Sequence, residues 1–246
     1  MQALETQLQI EFDKLGIEEP NKFSVLSFLH LLRLKDEPTY THSIRVGILG
    51  SRIGQEVPTL DSKALFYPGL LHDVGKLLVP MGVLQKKEGF GAEDFEKIKP
   101  HAQNSKAILN DIFKWSALVS ERHHYFQANG YPVNLSEFPS NLSKGTEVLV
   151  NYYARILSLI DSYDAASIRE NNKFGEECRR LKPEEVRDMM FKNNPDQKKF
   201  LTFLYDKGLF GDYDLRKAPV TSFQPDIMEV FEKAFAGLGN GAKKED

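Results

Sequence analysis

The stretch Leu70-Leu71-His72-Asp73-Val74-Gly75-Lys76 places an imidazole beside a carboxylate directly after an apolar segment, with a lysine three residues beyond the carboxylate. Adjacent His and Asp side chains are a compact source of nitrogen and oxygen ligands for a divalent metal ion. The lysine could contact the charged part of a phosphorylated substrate. The alternative is a helix end at which His72 and Asp73 only hydrogen-bond each other, since short motifs often match by chance.

Segments with helical periodicity surround this stretch. In the segment 39–53, apolar residues recur with His42 at steps of three and four positions, which predicts an amphipathic helix with His42 on its apolar face. Asp61 is placed to cap the helix that runs into His72. Pro68 lies inside that helix, so we expect a kink or a later start there.

The rest of the chain continues the same pattern. Glycine and proline residues predict a loop over 80–91. Further helices are predicted over 3–15, 23–34, 92–110, 112–124, 147–169, 183–191, 197–206 and 225–238. No convincing alternation of apolar and polar residues predicts a strand, so the sequence indicates an all-α fold. His30 lies within an apolar helical segment and is interpreted as a packed residue rather than a ligand.

Composition restricts the class of protein. The 246 residues carry a formal net charge of −3, which argues against a DNA-binding role. No apolar run reaches the roughly 18 residues that a membrane span needs. The first residues lack the regions of a signal peptide, and the single cysteine, Cys178, excludes an internal disulfide. These features predict a cytoplasmic protein without a membrane contact.

Seven polar side chains lie within the apolar helices or at their ends. They are His42, His72, Asp73, His101, His123, His124 and Asp161. A buried carboxylate is costly unless it is paired or binds a metal ion, and seven ligands are too many for one tetrahedral ion. The set suits two ions about 3.5–4 Å apart that share a carboxylate. Imidazole and oxygen ligands without thiolate favour Mn, Fe, Zn, Ni or Co over a soft-metal site. Of these, we expect Fe or Mn.

The ordered set of motifs resembles the HD superfamily of metal-dependent phosphohydrolases, and within it the HD-GYP branch, over about residues 40–170. The motifs are His42-Ser43-Ile44-Arg45-Val46, Leu71-His72-Asp73-Val74-Gly75-Lys76, Lys99-Pro100-His101, His123-His124, Gly130-Tyr131-Pro132 and Asp161-Ser162-Tyr163-Asp164-Ala165. The resemblance implies an all-helical HD-type domain with N- and C-terminal helical extensions. We expect divisions at 1–38, 39–175 and 176–246, with the metal-binding core in the middle segment.

The resemblance also implies roles for individual residues. One ion would be held by His42, His72, Asp73 and Asp161, and Asp73 would bridge to a second ion held by His101, His123 and His124. Asp73 and Lys76 would be the catalytic residues. The substrate would be contacted by Lys76, Arg169, Lys173 and Tyr131. Active relatives hydrolyse cyclic dinucleotides, chiefly cyclic di-GMP, through a hydroxide that bridges the two ions. Asp164 is expected to support a ligand histidine.

Several positions depart from the family pattern. Relatives with a third ion have a glutamate four residues before the first His, where this chain has Pro38, so we expect two ions. Tyr125 replaces the glutamate that usually follows the His pair, and the loop before Gly130 is divergent. These changes leave the substrate open.

Three alternatives to cyclic dinucleotide hydrolysis therefore remain. The first is an HD hydrolase of another nucleotide or phosphoester. The second is a weakly active or inactive regulatory module that binds a ligand, or a protein partner through the Gly130-Tyr131-Pro132 loop. The third is a diiron oxygenase.

Overall fold

A computed structural model of the chain describes residues 2–86, 88–127, 129–168 and 179–211. Within these ranges every regular element is a helix, which confirms the all-α prediction. The α-helices are α1 Gln2–Lys14, α2 Glu19–Lys35, α3 Glu37–Glu56, α4 Ser62–Leu71, α5 Met81–Leu84, α6 Ala92–Ile98, α7 His101–Leu109, α8 Lys114–Arg122, α9 Lys144–Ile168, α10 Pro183–Asn193 and α11 Lys198–Asp206. Two 3₁₀ helices span Val74–Leu78 and Pro195–Gln197.

Helices α3 and α4 pack with their backbones in close contact. A Cβ atom added to Gly69 would lie 2.6 Å from the Cα of Gly47, and one added to Gly54 would lie 2.6 Å from the Cα of Ser62. Side chains at these positions would force the helices apart. The side-chain oxygen of Asp61 accepts the N–H of Ala64 at 2.7 Å, so α4 begins at the predicted cap. It continues through Pro68 rather than starting after it.

Two hydrophobic clusters flank the α3–α4 pair. One contains Phe12 of α1, Leu29 of α2 and Phe66 of α4, so the N-terminal helices pack on the central helices. The other combines Leu157 of α9 with Leu204 of α11 and further apolar residues of α3, α8 and α10. Apolar side chains of α3 enter both clusters, which buries this helix on opposite sides.

Two predicted helices differ from the observed ones. The segment 92–110 forms two helices, because the break at Lys99-Pro100 ends α6 and Pro100 takes the N-cap position of α7. Helix α8 ends at Arg122, so His123 and His124 lie in the turn that follows it rather than in the helix. A single helical turn, α5, interrupts the loop predicted over 80–91.

Some predictions fall outside the described residues. These are the helix over 225–238 and the substrate contacts at Arg169 and Lys173. In the part of the chain that is described, no helix combines the length and apolarity that a membrane crossing requires. The divisions at residues 38 and 175 stay predictions.

Candidate metal centre

Two groups of buried side chains have the arrangement of metal ligands in the described part of the chain. Group 1 consists of His42, His72 and Asp73, and group 2 consists of His101, His123 and His124. Within each group, the potential ligand atoms lie within 4.8 Å of one another. The His72 and His123 rings are 5.0 Å apart between centroids, so the two groups adjoin.

Group 1 is built where α3 and α4 cross. His42 comes from the buried face of α3, and His72 caps the C-terminus of α4. The close contact at Gly47 and Gly69 brings these helices together, and the His42 and His72 ring centroids are 5.3 Å apart. Asp73 then begins the 3₁₀ helix Val74–Leu78.

Group 2 is built from a helix start and a turn. His101 is the first residue of α7, and His123 and His124 follow α8. The His101 and His124 ring centroids are 5.1 Å apart, and those of His123 and His124 are 3.8 Å apart. All three imidazoles are therefore collected at one place although they come from two separate segments.

Three histidines form the same type of hydrogen bond to the backbone. The Nδ1 atoms of His72, His101 and His123 donate to the carbonyl oxygens of Gly69 at 2.9 Å, Ile98 at 2.8 Å and Ser120 at 2.6 Å, respectively. Each carbonyl lies three residues before its histidine. Because a carbonyl oxygen can only accept, the proton of each neutral ring is placed on Nδ1 and the lone pair on Nε2.

Burial keeps these rings neutral. It lowers the pKa of His72 to about 4 and that of His101 to about 3, against the opposing effect of Asp73. Burial likewise lowers the pKa of His123, with Asp161 and Asp73 opposing. At neutral pH the Nε2 atoms therefore present lone pairs, the form in which imidazole binds metal ions.

Asp73 connects the two groups. Its Oδ2 lies 3.5 Å from Nε2 of His72 and 3.8 Å from Nε2 of His42, while its Oδ1 lies 3.2 Å from Nε2 of His101. One oxygen therefore faces each group. Burial favours the neutral carboxyl, but Lys76 and the surrounding histidines outweigh it and hold the pKa of Asp73 well below its usual range.

The donor set fits a divalent cation. Oδ1 of Asp73 and Nε2 atoms of His72, His101 and His123 are buried and make no hydrogen bond to protein. At the shortest of these approaches, Oδ1 of Asp73 faces Nε2 of His101, and both atoms are acceptors. Two facing acceptors repel unless a cation lies between or beside them, so buried atoms of this kind call for a metal ion.

Asp161 of α9 also reaches both groups. Its Oδ1 lies 3.0 Å from Nε2 of His42 and 3.9 Å from Nε2 of His72. Its Oδ2 lies 3.8 Å from Nδ1 of His124 in group 2. Burial raises the pKa of Asp161, but His42 and the other nearby histidines outweigh it and hold that pKa well below its usual range. Sequence reasoning placed Asp161 with group 1 only.

A chain of three residues orients His42. Oδ2 of Asp164 accepts from Nδ1 of His42 at 2.7 Å, which agrees with the expected supporting role. Asp164 in turn accepts two hydrogen bonds from Arg45, at 2.7 and 2.8 Å. Despite burial, Arg45 and His42 lower the pKa of Asp164 to about 2. The sequence analysis gave Arg45 no role. Its position three residues after His42, on the same side of a helix, was the feature that could have indicated one.

Lys76 lies directly at the centre. Its Nζ donates to Oδ2 of Asp73 at 2.5 Å, and the residue is only 8% exposed. Gly75 permits this placement, because an added Cβ would lie 2.0 Å from the carbonyl oxygen of His101. The N–H of Gly75 donates to Oγ of Ser105, which itself donates to the carbonyl oxygen of His72. The 3₁₀ helix is thus bonded to α7.

A cavity of about 1000 Å³ opens above the centre. This volume is at the upper end of the usual range for small-molecule sites, roughly 300–1,000 Å³. Residues of the centre that line it are Lys76, His101, His124 and Asp161. Its other walls include Gln85, Lys86, Phe90, Phe95, Gln127, Tyr131, Met189 and Asn193. Glu37 and Pro38 also line it, but neither group includes Glu37.

Tyr131 forms part of the cavity wall. Its ring stacks on His124 with centroids 4.4 Å apart and meets Phe95 edge-on at 5.7 Å. Only 4% of Tyr131 is exposed, so it faces inward. Gly130 allows the chain to turn here, because an added Cβ would lie 2.1 Å from the carbonyl oxygen of Tyr125.

All seven residues predicted as ligands therefore converge, as do Lys76 and Tyr131. His30 belongs to neither group. It is partly buried in α2, as its apolar surroundings in the sequence indicated.

Comparison with known proteins gives a family match that covers the centre, together with individual relatives. The family model described as HD domain matches residues 39–166, which include every residue of both groups. A cyclic di-GMP phosphodiesterase of Pseudomonas aeruginosa is 32% identical over 147 residues, covering 56% of this chain and 33% of that protein.

Two further relatives match similar lengths. A cyclic di-GMP phosphodiesterase of Thermotoga maritima is 30% identical over 159 residues, covering 61% of this chain and 40% of its own length. A 3′3′-cGAMP-specific phosphodiesterase of Vibrio cholerae is 27% identical over 157 residues, covering 62% of this chain and 34% of its own length. The chain thus spans 33–40% of the length of these curated relatives.

Proposed function

This chain belongs to the HD domain family, and we propose that it is a metal-dependent phosphodiesterase that hydrolyses a cyclic dinucleotide, with cyclic di-GMP favoured. The observation that carries the proposal is the placement of Asp73, whose two oxygens face different histidine groups beside Lys76 and His101, which line a large cavity. The names of the relatives supply the class of substrate.

The residues would hold two divalent ions, with Fe or Mn favoured. One ion would be held by His42, His72, Asp73 and Asp161, and the other would be held by His101, His123 and His124, with Asp73 shared. When bound, two such ions lower the pKa of a water molecule and neutralise charge developing on the attacked phosphate. The neutral imidazoles described above present their Nε2 lone pairs in the orientation that metal binding needs.

The chain's own groups would then orient the phosphodiester. Lys76 brings a positive charge to the floor of the cavity, where it can contact a phosphate oxygen whose negative charge grows during the reaction. Its present partner is Asp73, so the catalytic lysine and the shared carboxylate are already adjacent. Burial of both groups excludes water and strengthens these interactions.

The cavity walls suit a dinucleotide. Phe90, Phe95 and Tyr131 offer aromatic surfaces against which bases can stack. Gln85, Gln127 and Asn193 offer amide groups that can hydrogen-bond base edges. A substrate with two bases and two phosphates uses both kinds of wall, whereas a small phosphoester uses only the floor.

The decisive experiment measures metal and turnover on the same protein. The chain is purified without chelator or metal-affinity tag, and its metal is counted by inductively coupled plasma mass spectrometry. Cyclic di-GMP and 3′3′-cGAMP are then supplied with Mn(II) or Fe(II), and products are separated chromatographically. About two ions per chain with turnover supports the proposal.

Other outcomes select the alternatives. Two ions with turnover of only other phosphoesters indicates a different HD hydrolase, and tight ligand binding without turnover indicates a regulatory module. Absence of stoichiometric metal after reconstitution overturns the two-ion centre. The protein partner at the Gly130-Tyr131-Pro132 loop, the cytoplasmic location and the domain divisions stay predictions.

A further inference from the structure

A buried charged pair lies directly before the two adjacent histidines of group 2. Glu121 and Arg122 end α8 and are only 2% and 1% exposed, respectively. Neither is among the potential metal ligands of the described residues, and neither lines the cavity. Burying two charges is costly, so their position next to His123 requires an explanation.

Both side chains hold one residue of the following loop. Oε1 of Glu121 accepts the N–H of Ser136 at 3.2 Å, and Oε2 accepts its hydroxyl at 2.8 Å. Nη2 of Arg122 donates to the carbonyl oxygen of Ser136 at 2.9 Å. The pair itself is joined by a 2.5 Å contact between Nη1 of Arg122 and Oε2 of Glu121. Both backbone polar groups of Ser136 are therefore fixed by side chains.

The same pair is tied to the helix that carries His101. Nζ of Lys106, in α7, donates to Oε2 of Glu121 at 3.1 Å and also contacts Oγ of Ser136. The guanidinium of Arg122 lies over the Phe138 ring, 4.0 Å from its centroid. The cluster thus joins α7, the end of α8 and the loop.

The near end of the loop is attached to the histidines themselves. The N–H of Tyr131 donates to the carbonyl oxygen of His124 at 3.3 Å, and the two rings stack. The segment 131–136 therefore leaves the His123–His124 turn and is fastened back to the residues just before it. The chain from Arg122 to Ser136 is closed in this way, which restricts the orientation of the His123 and His124 rings that lie within it.

We propose that Glu121 and Arg122 are positioning residues for group 2. They close the 131–136 segment on the turn and keep that turn opposite His101, and so set the affinity of group 2 for its ion without touching the ion. The inference rests on the proposed metal centre and adds residues that act on one half of it. Group 1 has no contact with this cluster among the described bonds and is oriented separately by Asp164.

The test compares metal affinity at the two groups. The variant Glu121→Gln/Arg122→Met removes both charges together, because removing one would leave the other buried without its partner. Mn(II) binding is followed by electron paramagnetic resonance, which separates classes of site by affinity. The class that is missing in the His124→Ala variant is assigned to group 2. We expect about 10–100-fold weaker binding at that class and unchanged binding at the other, the usual cost of losing a supporting contact.

A matched control separates this effect from general loss of stability. Arg155, in α9, is also largely buried and donates to Asp196 at 2.7 Å, and it makes no described bond to the loop. Arg155→Met should leave both classes of Mn(II) site unchanged.

The outcomes are distinct. Unchanged Mn(II) affinity in the double variant, or equal weakening at both classes, overturns the positioning role. Wild-type protein that binds two ions but hydrolyses no phosphodiester overturns the proposed function while leaving this inference standing. Wild-type protein without a group 2 site overturns the inference itself.

Discussion

Groups 1 and 2 of the candidate centre use similar ligands but are built differently. Group 1 lies where two helices touch through glycine, and a helix-borne carboxylate, Asp164, fixes His42. Group 2 lies at the start of α7 and in a turn after α8, and a loop stacks Tyr131 on His124. The first group depends on backbone packing, whereas the second depends on hydrogen bonds and ion pairs between short segments.

This difference predicts which changes act on one group and which act on both. Packing between two central helices is lost only when a large part of the fold opens, whereas a turn can unfold locally. Substitutions that target Asp73 should affect both groups, and those that target supporting residues should affect one.

Asp73→Ala should have the largest effect. Removing the carboxylate that faces both groups should lower metal content from about two ions per chain to near none and reduce hydrolysis to background. Mass spectrometry of the metal content and a cyclic di-GMP assay check this. Asp13→Ala changes an exposed carboxylate of α1 and serves as the control. Full metal content and activity in Asp73→Ala would show that the site is wrongly assigned.

Lys76→Met should separate turnover from metal binding. Removing the cation that contacts Asp73 leaves every proposed ligand in place, so the metal content should stay near two ions per chain. The kcat should fall about 10²–10³-fold, the usual cost of losing one charge-stabilising group. Steady-state kinetics with Mn(II) measures this. A kcat within a few-fold of wild type would remove Lys76 from the chemistry, and Lys63→Met, on the exposed start of α4, controls for the charge change.

Asp164→Asn should weaken group 1 alone. The amide cannot supply the charge that Arg45 and His42 require, so metal affinity at group 1 should fall about 10–100-fold. Mn(II) titration should show the complementary pattern to that of the Glu121 and Arg122 variant. Equal loss at both groups would mean that the centre responds as one unit and that the contrast between the groups is false.

Gly75→Ala tests the junction between the groups. The added Cβ would meet the carbonyl oxygen of His101 and the N–H of Ser105, so the 3₁₀ helix and α7 must separate. The free energy of unfolding should fall by about 1–3 kcal/mol, as for other overpacked sites. Urea denaturation measures it. Gly82→Ala is the matched control, since nothing lies within 4 Å of its added Cβ. Equal stability of the two variants would contradict the close contact.

His30→Ala should have the smallest effect. This partly buried histidine lies outside both groups, so metal content and turnover should stay at wild-type levels. The free energy of unfolding should fall by about 1 kcal/mol, a typical cost for losing partial packing. A change in metal content in this variant would require a sixth histidine in the centre.

The helices, and the convergence of the seven polar side chains, were predictable from the sequence for one reason. Histidine and aspartate on apolar helical faces are costly, so His42 and Asp161 were recognisable from periodicity alone. The break at Pro100 was missed because apolar periodicity continues on both sides of it, although proline at a helix start is itself a signal.

Other features depend on contacts between distant segments. The pairing of Arg45 with Asp164 spans more than a hundred residues, and the 8% exposure of Lys76 depends on α7 packing against Gly75. The hydrogen bonds that Glu121 and Arg122 form with Ser136 join residues close in sequence, but they involve the backbone of Ser136. Residue types alone do not predict such bonds. These three contacts become visible only in the three-dimensional structure.

The glycine contact between α3 and α4 has a consequence for how this chain can diversify. An added Cβ at Gly69 meets backbone atoms of Gly47, so no second mutation of a side chain can make room for it. By contrast, wall residues such as Gln85, Phe90, Met189 and Asn193 lie outside α3 and α4. The walls of the cavity can therefore change, in evolution or in a library, while the crossing that carries group 1 of the candidate centre stays invariant.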